Sequence, residues 1–592
     1  SEAEAVFRKA MVLDKTLQSA PLRVARHAFW LGKTLHQQAQ YEEEIRVGEE
    51  VLQGLDDHLE SVEAVLILSM IASGYDYTGV RGRAGELRSQ AAALIGSLPY
   101  VEALGTIYQQ IYDHYLWNKD VSSAMRWLHM LENKVTPENS ESISERLHYW
   151  MADKATQEGD IQVALTQLHH AVASTTRTGD IIAREYYLFW LGYMCLSAGD
   201  LEKADEHART SLEYKLFLGE SYYFFAWGYW LRGLILLCRG NGDEALDALE
   251  KTIGYAEELG FPEIVLWSHA LIGRYCMESG HRAAALSRFQ DAARLCTPAI
   301  FGNWRARNMK SYVHSFLTVL SGLEEAYTDA LAFRDFCGHF PAREQFVDGE
   351  QYSPDLARFA LVRWYLETAK PARNAKLLLD ESFTDALPQS WVWYDAFGDC
   401  DYQAHDGLEV HAPNGRDLWH INRSAPRVLC SLSDLGVSDR DDFAFETACV
   451  PALEDRLGMG GLLLWIDEEN YLRLDRGSGG PHEITFQGCV DNHDVVIGRG
   501  QLKAGDDTSA LSPGSVTMRL EWADNQVQAL CSLDETAWFT VGHIDFPFDA
   551  GAQFGVYAIG NIDRMIYQGA FPEGTAIRFA SVRCWSLARG AT

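Results

Sequence analysis

A short phrase recurs along this chain at steps of forty residues. "GDIQVA" begins at Gly159, "GDLEKA" at Gly199, "GNGDEA" at Gly240 and "GHRAAA" at Gly280. A fainter copy, "GLEEA", begins at Gly322. Going upstream, "NKDVSSA" ends at Ala124, "TGVRGRA" ends at Ala84, and "QAQYEEEI" surrounds Tyr41. A period of this length means one supersecondary unit stacked on copies of itself, because no unit can bury its apolar face alone. A second position repeats in phase, seven residues before each loop: Gly32, Ala72, Ala152, Gly192, Gly233, Gly273 and Ser315, with Tyr112 breaking the series. A small residue there implies two helices crossing too closely for a larger side chain. The Ala after each loop is the matching contact on the second helix. The loop Gly supplies the left-handed residue that ends the first helix. Each unit therefore reads helix A, tight turn, helix B, and about eight units fill residues 1–340.

The segments "WLGYMCLSAGDLEKADEHARTSL" from Trp190 and "ALIGRYCMESGHRAAALSRFQDAARL" from Ala270 carry large-x-small, then Gly, then Ala and an apolar residue in helix B. This pattern resembles the tetratricopeptide repeat. The family's usual period is about 34 residues. The longer unit here resembles the variant repeats of STAND-type signal-transduction ATPases and MalT-like activators.

The stretch "ESYYFFAWGYWLRGLILLCRG", from Glu220, is the most apolar in the chain. As a membrane span it fails. Its apolar run is shorter than the roughly 18–20 residues required, Arg232 lies inside it, and the repeat register runs through it. It is helix A of one unit, apolar nearly all round and so predicted to be largely buried. A minority of such rings would face the concave groove and hold a protein partner. Tyr186, Tyr222, Tyr223, Phe225 and Trp227 are the candidates.

Past residue 340 the register fades. Ser353 to Lys370 reads as a capping helix, with Ser353 at the N-cap, Pro354 at the first helical position and Pro371 ending it. Residues 341–380 are thus predicted as capping helix and linker. From residue 381 to 592 the texture changes to short β-branched or alternating runs between turns, among them "LEVHA", "FAFETACV", "GGLLLWI", "NYLRLDRG", "QFGVYAIG" and "IRFASVRCWSL". Such strands over about 200 residues indicate an antiparallel β-sandwich. "WIDEENYLRL" is a hairpin turning at Asp467 to Asn470. The segments "SWVWYDAFGDCDYQAHDGLEVHAPNGRDLWH", "SAPRVL", "GGLLLWIDEENYLRL" and "FASVRCWSL" resemble the concanavalin A-like jelly rolls. The predicted fold class is therefore multidomain α + β, a tetratricopeptide-like α-solenoid followed by a jelly-roll sandwich.

The resemblance implies a concave sheet that can take a glycan, with Trp391, Trp393, Trp419 and Trp465 as candidate platforms and Trp538 near them. Glycosidases of that class place two carboxylates on one strand face, and no such spacing occurs. "LEDRLG" and "WIDEEN" put their acids on turns. Ser438 to Phe443 and Asp491 to Asp494 have the oxygen density of a Ca²⁺ loop, and His405, His411 and His420 lack zinc-ligand spacing. His169 and His170 are adjacent on a helix, so they diverge and cannot share a metal. There is no phosphate loop, dinucleotide fingerprint, zincin motif or nucleophile elbow. No catalytic residue, metal or cofactor is assigned.

The net charge of −32 over 592 residues repels phosphate backbones and excludes nucleic acid as a partner. The eleven cysteines are odd in number and begin only at Cys195, with no C-x-x-C pair. That pattern fits free thiols in a cytoplasmic protein rather than a disulfide framework. The chain opens in a helical phrase without an initiator Met. Together with the resemblances, this predicts the C-terminal half of a large bacterial signalling protein, with a Ser/Thr kinase or STAND NTPase upstream. The expected function is non-enzymatic: the solenoid groove holds a protein partner and the sandwich is a second recognition module. The alternative is a glycan-binding or glycan-active protein that uses the sandwich.

Overall fold

A computed structural model describes residues 2–295 and 367–588, apart from short stretches at turns and two longer ones, 219–224 and 502–513. A leading helix, α1 (Glu2–Thr16), precedes seven helical hairpins. The A helices are α2 (Pro21–Gln37), α4 (Val62–Tyr77), α6 (Glu102–Trp117), α8 (Ser140–Glu158), α10 (Ile181–Ser197), α12 (Phe225–Cys238) and α14 (Pro262–Glu278). The B helices are α3 (Tyr41–Gln53), α5 (Arg81–Ile95), α7 (Val121–Glu132), α9 (Ile161–Thr178), α11 (Leu201–Leu218), α13 (Gly242–Leu259) and α15 (Arg282–Leu295). They form a solenoid of helical hairpins. The eighth unit and the proposed helix from Ser353 to residue 366 lie outside the described residues.

The repeating residues do what their spacing requires. Gly159, Gly199, Gly240 and Gly280 end their helices with φ of 88°, 83°, 79° and 78°. Asp120, Asp160 and Asp200 then cap the following helices, accepting from the backbone N–H groups of Ser123, Val163 and Lys203 at 2.9–3.1 Å. Ala84, Ala124, Ala164, Ala204, Ala245 and Ala285 are fully buried. A Cβ on Gly192 would lie 3.3 Å from the backbone of Ala204 and Ala208, so α10 and α11 cross at near-minimal separation. Tyr112 breaks the small-residue series because its ring turns toward the next unit. It stacks on Trp150 at 5.0 Å and donates its hydroxyl to the Trp150 carbonyl at 3.0 Å.

The second half is a sandwich of two antiparallel sheets. One has the strand order His493–Gln501, Glu483–Val490, Tyr471–Arg476, Gly460–Trp465, Gln553–Ala558, Arg427–Ser431, Trp391–Tyr394. The other runs Glu367–Ala369, Trp538–Asp545, Gln526–Ser532, Val516–Ala523, Phe443–Pro451, Thr575–Leu587, Leu408–Ala412, Asp401–Ala404, with Asn374–Glu381 also paired to Thr575–Leu587. The hairpin at Asp467 to Asn470 forms, with Trp465 opposite Tyr471. Between the sheets lies an apolar core that includes Val428, Leu462, Leu472, Phe486, Leu520, Phe554 and Phe579.

The sandwich starts earlier than the sequence suggests. Glu367–Ala369 and Asn374–Glu381 are edge strands, not the end of a capping helix and a linker. Three residues carry no readable period. Their identity as a strand comes from pairing with Trp538–Asp545, far along the chain.

The two halves meet along the A–B turns of the solenoid. The Gly159 carbonyl accepts from Arg416 Nη1 at 2.6 Å, and the Ser197 carbonyl from Arg564 Nη2 at 3.1 Å. Asn414 reaches the Ala198 carbonyl at 3.4 Å. Lys119 Nζ pairs with Asp494 at 2.7 Å. Ile421 packs on the core of the first units, and Met565 and Ile566 pack on that of the later ones.

Candidate functional site

Two surfaces could meet a ligand, the A-helix face of the solenoid and the outer face of the seven-stranded sheet. On α10, Tyr186, Trp190 and Tyr193 are half-buried, while Tyr187, Leu188, Phe189, Leu191, Gly192 and Met194 are buried. The spacing i, i+4, i+7 places the three rings in one stripe. Tyr149, on α8, extends it. The Tyr149 and Tyr186 hydroxyls are 2.8 Å apart. Burial, followed by the neighbouring Tyr186, Asp153 and Asp113, pushes the Tyr149 hydroxyl well above its ordinary pKa, so it remains protonated.

Ring contacts continue from Tyr186 to Trp190 at 6.2 Å, to Tyr193 at 5.9 Å and to Trp230 at 6.5 Å. Trp230 and Trp267 are buried and back the stripe. Tyr193 ends it where Met565 and Ile566 of the sandwich pack on the same core. The stripe is therefore a half-open aromatic ladder on a rigid base, ending at the seam between the halves.

Of the residues singled out from sequence for this groove, Tyr186 lies in the stripe. Phe225 and Trp227 are withdrawn into the core, at 0% and 5% exposure. Trp227 meets Phe189, Trp230 and Trp267, which come from three A helices. Tyr222 and Tyr223 lie outside the described residues. Sequence reasoning passed over Tyr149, Trp190 and Tyr193, although the i, i+4, i+7 spacing on α10 was a usable signal.

The sheet face is closed. Its centre holds Arg473, with Nη1 on Asp417 at 2.6 Å and Nε 3.7 Å from Asp475. Tyr557 donates to Asp475 at 2.8 Å, and Asn561 donates to Asp417 at 3.2 Å. Trp419 and Tyr557 flank the guanidinium at 5.8 and 5.9 Å. Burial pushes the Asp475 carboxyl above its ordinary range, against the pull of Arg473. The stretches 414–425 and 559–571 lie over this face. They contribute Leu418, Ala425, Ile559, Ile562 and Tyr567 to a second apolar cluster with Leu463, Trp465 and Tyr471. The same stretches touch the solenoid turns.

Of the four sandwich tryptophans chosen from sequence, Trp391 is in the inter-sheet core and Trp393 packs against it. Trp419 and Trp465 belong to the closed face, where Trp465 also stacks under Arg427 at 4.3 Å. Trp538 is buried. The four do not converge on one open surface.

Two of the acids considered for Ca²⁺ are otherwise engaged. Asp494 holds Lys119, and Asp441 accepts from Ser438 Oγ at 2.6 Å. Among the described residues, one trio has metal-ligand proximity: Asp395, Asp399 and Cys400. Asp395 accepts backbone N–H groups from Phe397, Gly398 and Cys400, and Asp399 is held by Arg416. His411 pairs with Glu409 at 2.6 Å. His170 faces His148, and His169 faces His207, so the two adjacent imidazoles do point apart. No helix among the described residues is long and apolar enough to cross a membrane.

No family model matches the chain, and no curated protein does. Among solved structures, the chain is similar to a Rap protein complexed with competence and sporulation factor, at 14% identity and a TM-score of 0.39, over 54% of this chain and 84% of that one. It is similar to a Signal Transduction ATPase with Numerous Domains carrying a tetratricopeptide repeat sensor, from Pyrococcus horikoshii. There the identity is 16% and the TM-score 0.33, over 56% of this chain and 54% of that one. A GH43 protein from Bacillus licheniformis matches at 13% identity and a TM-score of 0.27, over 35% of this chain. The chain spans 39% of that protein's length. The architecture described above rests on the helices and strands themselves.

Proposed function

We propose that this chain is a non-enzymatic binding region of a cytoplasmic signalling protein, whose solenoid groove holds a protein partner. The observation that carries the reading is the half-open ladder Tyr149, Tyr186, Trp190 and Tyr193. Large rings with two rotatable bonds lose little entropy on binding and supply much contact area. Here they stand on a base of buried tryptophans, so they are already ordered before a partner arrives. The closed sheet face weighs against the glycan reading, because the oligosaccharide would have to displace the sandwich's own loops and the solenoid.

The test is capture by the full chain, with Tyr186→Ala compared against Val392→Ala, an exposed sandwich position. Partner retention by the wild type and by Val392→Ala, and loss by Tyr186→Ala, supports the groove. Equal retention by all three removes the groove from the account. Specific binding on a glycan array would favour the sandwich instead.

A further inference from the structure

The turns that face the sandwich differ from the other turns of the same solenoid in one respect. Gly159, Gly199, Gly240 and Gly280 share the left-handed conformation and the same place in the repeat. A Cβ on Gly240 or Gly280 would meet nothing within 4 Å. A Cβ on Gly159 would lie 2.5 Å from the Gly415 carbonyl oxygen, and one on Gly199 would lie 2.5 Å from the Ala570 carbonyl oxygen. At these two turns, glycine satisfies a backbone angle and also a backbone-to-backbone approach across the seam.

One step earlier, the position forty residues before Gly159 is Lys119. It is the one non-glycine with positive φ among the described residues of the helical half, at 60°. Any L residue is strained there, and glycine would not be. The Lys119 side chain is buried against the sandwich, with Nζ on Asp494 at 2.7 Å and 3.6 Å from Cys489 Sγ. His420 lies on the other oxygen of Asp494 at 3.6 Å. At the far end of the seam, Met565 and Ile566 of the sandwich pack on the core of the later units.

We infer that the sandwich works as a clamp on the solenoid. Its loops seize three consecutive units, at Lys119, Gly159 and Gly199, and so fix the pitch of the superhelix that carries the aromatic ladder. A solenoid unit touches only its neighbours, so its curvature is soft unless something spans several units. The sandwich spans three. Lys119 is the keyed end of the clamp: its turn keeps a strained residue because only a long cationic side chain reaches Asp494 there. The clamp does not depend on what the groove binds.

The four glycines give the experiment its internal control. Each Gly→Ala variant of the full chain strains its own turn alike, but only Gly159→Ala and Gly199→Ala add a clash with the sandwich. Hydrogen exchange is read at 414–424, at 489–494 and at 563–574. Gly159→Ala and Gly199→Ala should speed exchange in the first and third segments, and in α8 and α10, by about tenfold or more. Gly240→Ala and Gly280→Ala should change only their own hairpins. Lys119→Gly relaxes its turn and removes the ion pair, so exchange at 489–494 should rise although the local backbone is less strained. The clamp is overturned if the four Gly→Ala variants behave alike. It is also overturned if Lys119→Gly leaves 489–494 as protected as before, or more so.

Discussion

Replacing Trp227 with Ala tests whether the aromatic run beginning at Phe225 is core or binding surface. The indole is 5% exposed. Its ring centroid lies 6.2 Å from Phe189 on α10, 5.7 Å from Trp230 on its own helix and 5.3 Å from Trp267 on α14. All three contacts are edge-on, the arrangement favoured by ring quadrupoles. Truncating a buried Trp to Ala costs about 3–5 kcal/mol, the transfer term plus the cavity. Because Trp227 joins three successive units, the loss weakens two unit interfaces at once. A chain with two architectures need not unfold in one step, so the readout is the urea midpoint of the helical circular-dichroism signal alone. Hydrogen exchange in α10, α12 and α14 is followed in parallel. The comparison is Tyr186→Phe, which removes one hydroxyl pair at a half-buried site and should cost about 1 kcal/mol. A cost for Trp227→Ala below about 1 kcal/mol, or one equal to that of Tyr186→Phe, would show that Trp227 does not hold the units together.

Three further outcomes are expected. Burial pushes the Asp494 carboxyl up, but the neighbouring His420 and the Lys119 charge outweigh it, so its folded pKa lies below the ordinary 3.8. Its stabilisation is therefore complete above that value and lost as pH falls through the folded pKa. Seam protection at 489–494, where Lys119, His420, Cys489 and Arg423 surround it, should fade in that acid window and not at pH 5–7. Asp475 has the opposite sign, since its raised folded pKa means that its ionised form opposes folding at neutral pH. In urea titrations at pH 7, Asp494→Asn should cost about 3 kcal/mol, by stranding Lys119, and Asp475→Asn less than about 1 kcal/mol. Finally, burial pushes the thiols of Cys430 and Cys449 up to about 11 and those of Cys195 and Cys584 up to about 12. Iodoacetamide at pH 8 should leave these four unmodified in the native chain and label them in urea, by mass spectrometry.

The parts of this structure that were legible in the sequence are those fixed by local rules repeated many times. Gly159, Gly199, Gly240 and Gly280 declare a helix end, Asp160 and Asp200 declare the next start, and the small residues seven positions earlier declare a close crossing. The apolar run after Phe225 was readable as a helix because its phase was set by its neighbours. The hairpin at Asp467 to Asn470 carried its own turn chemistry. What was not legible depends on residues far apart in the chain. Arg473, Asp417, Asp475 and Tyr557 form one network on the closed sheet face although 140 residues separate the first and last of the four in sequence order. Glu367–Ala369 is a strand only because Trp538–Asp545 lies beside it. Lys119 did carry a signal, a long side chain where the register places glycine, but its meaning required Asp494, which comes from the other half.

The groove itself is tested most directly by footprinting. The full chain is exposed to hydroxyl radicals alone and with the partner it captures, and oxidation is read residue by residue. Tyr149, Tyr186, Trp190 and Tyr193 should be protected, with the exposed sandwich residues Val392 and Phe397 unchanged. Protection confined to the sandwich, with the four groove rings oxidised as fast as in the free chain, would contradict a binding groove.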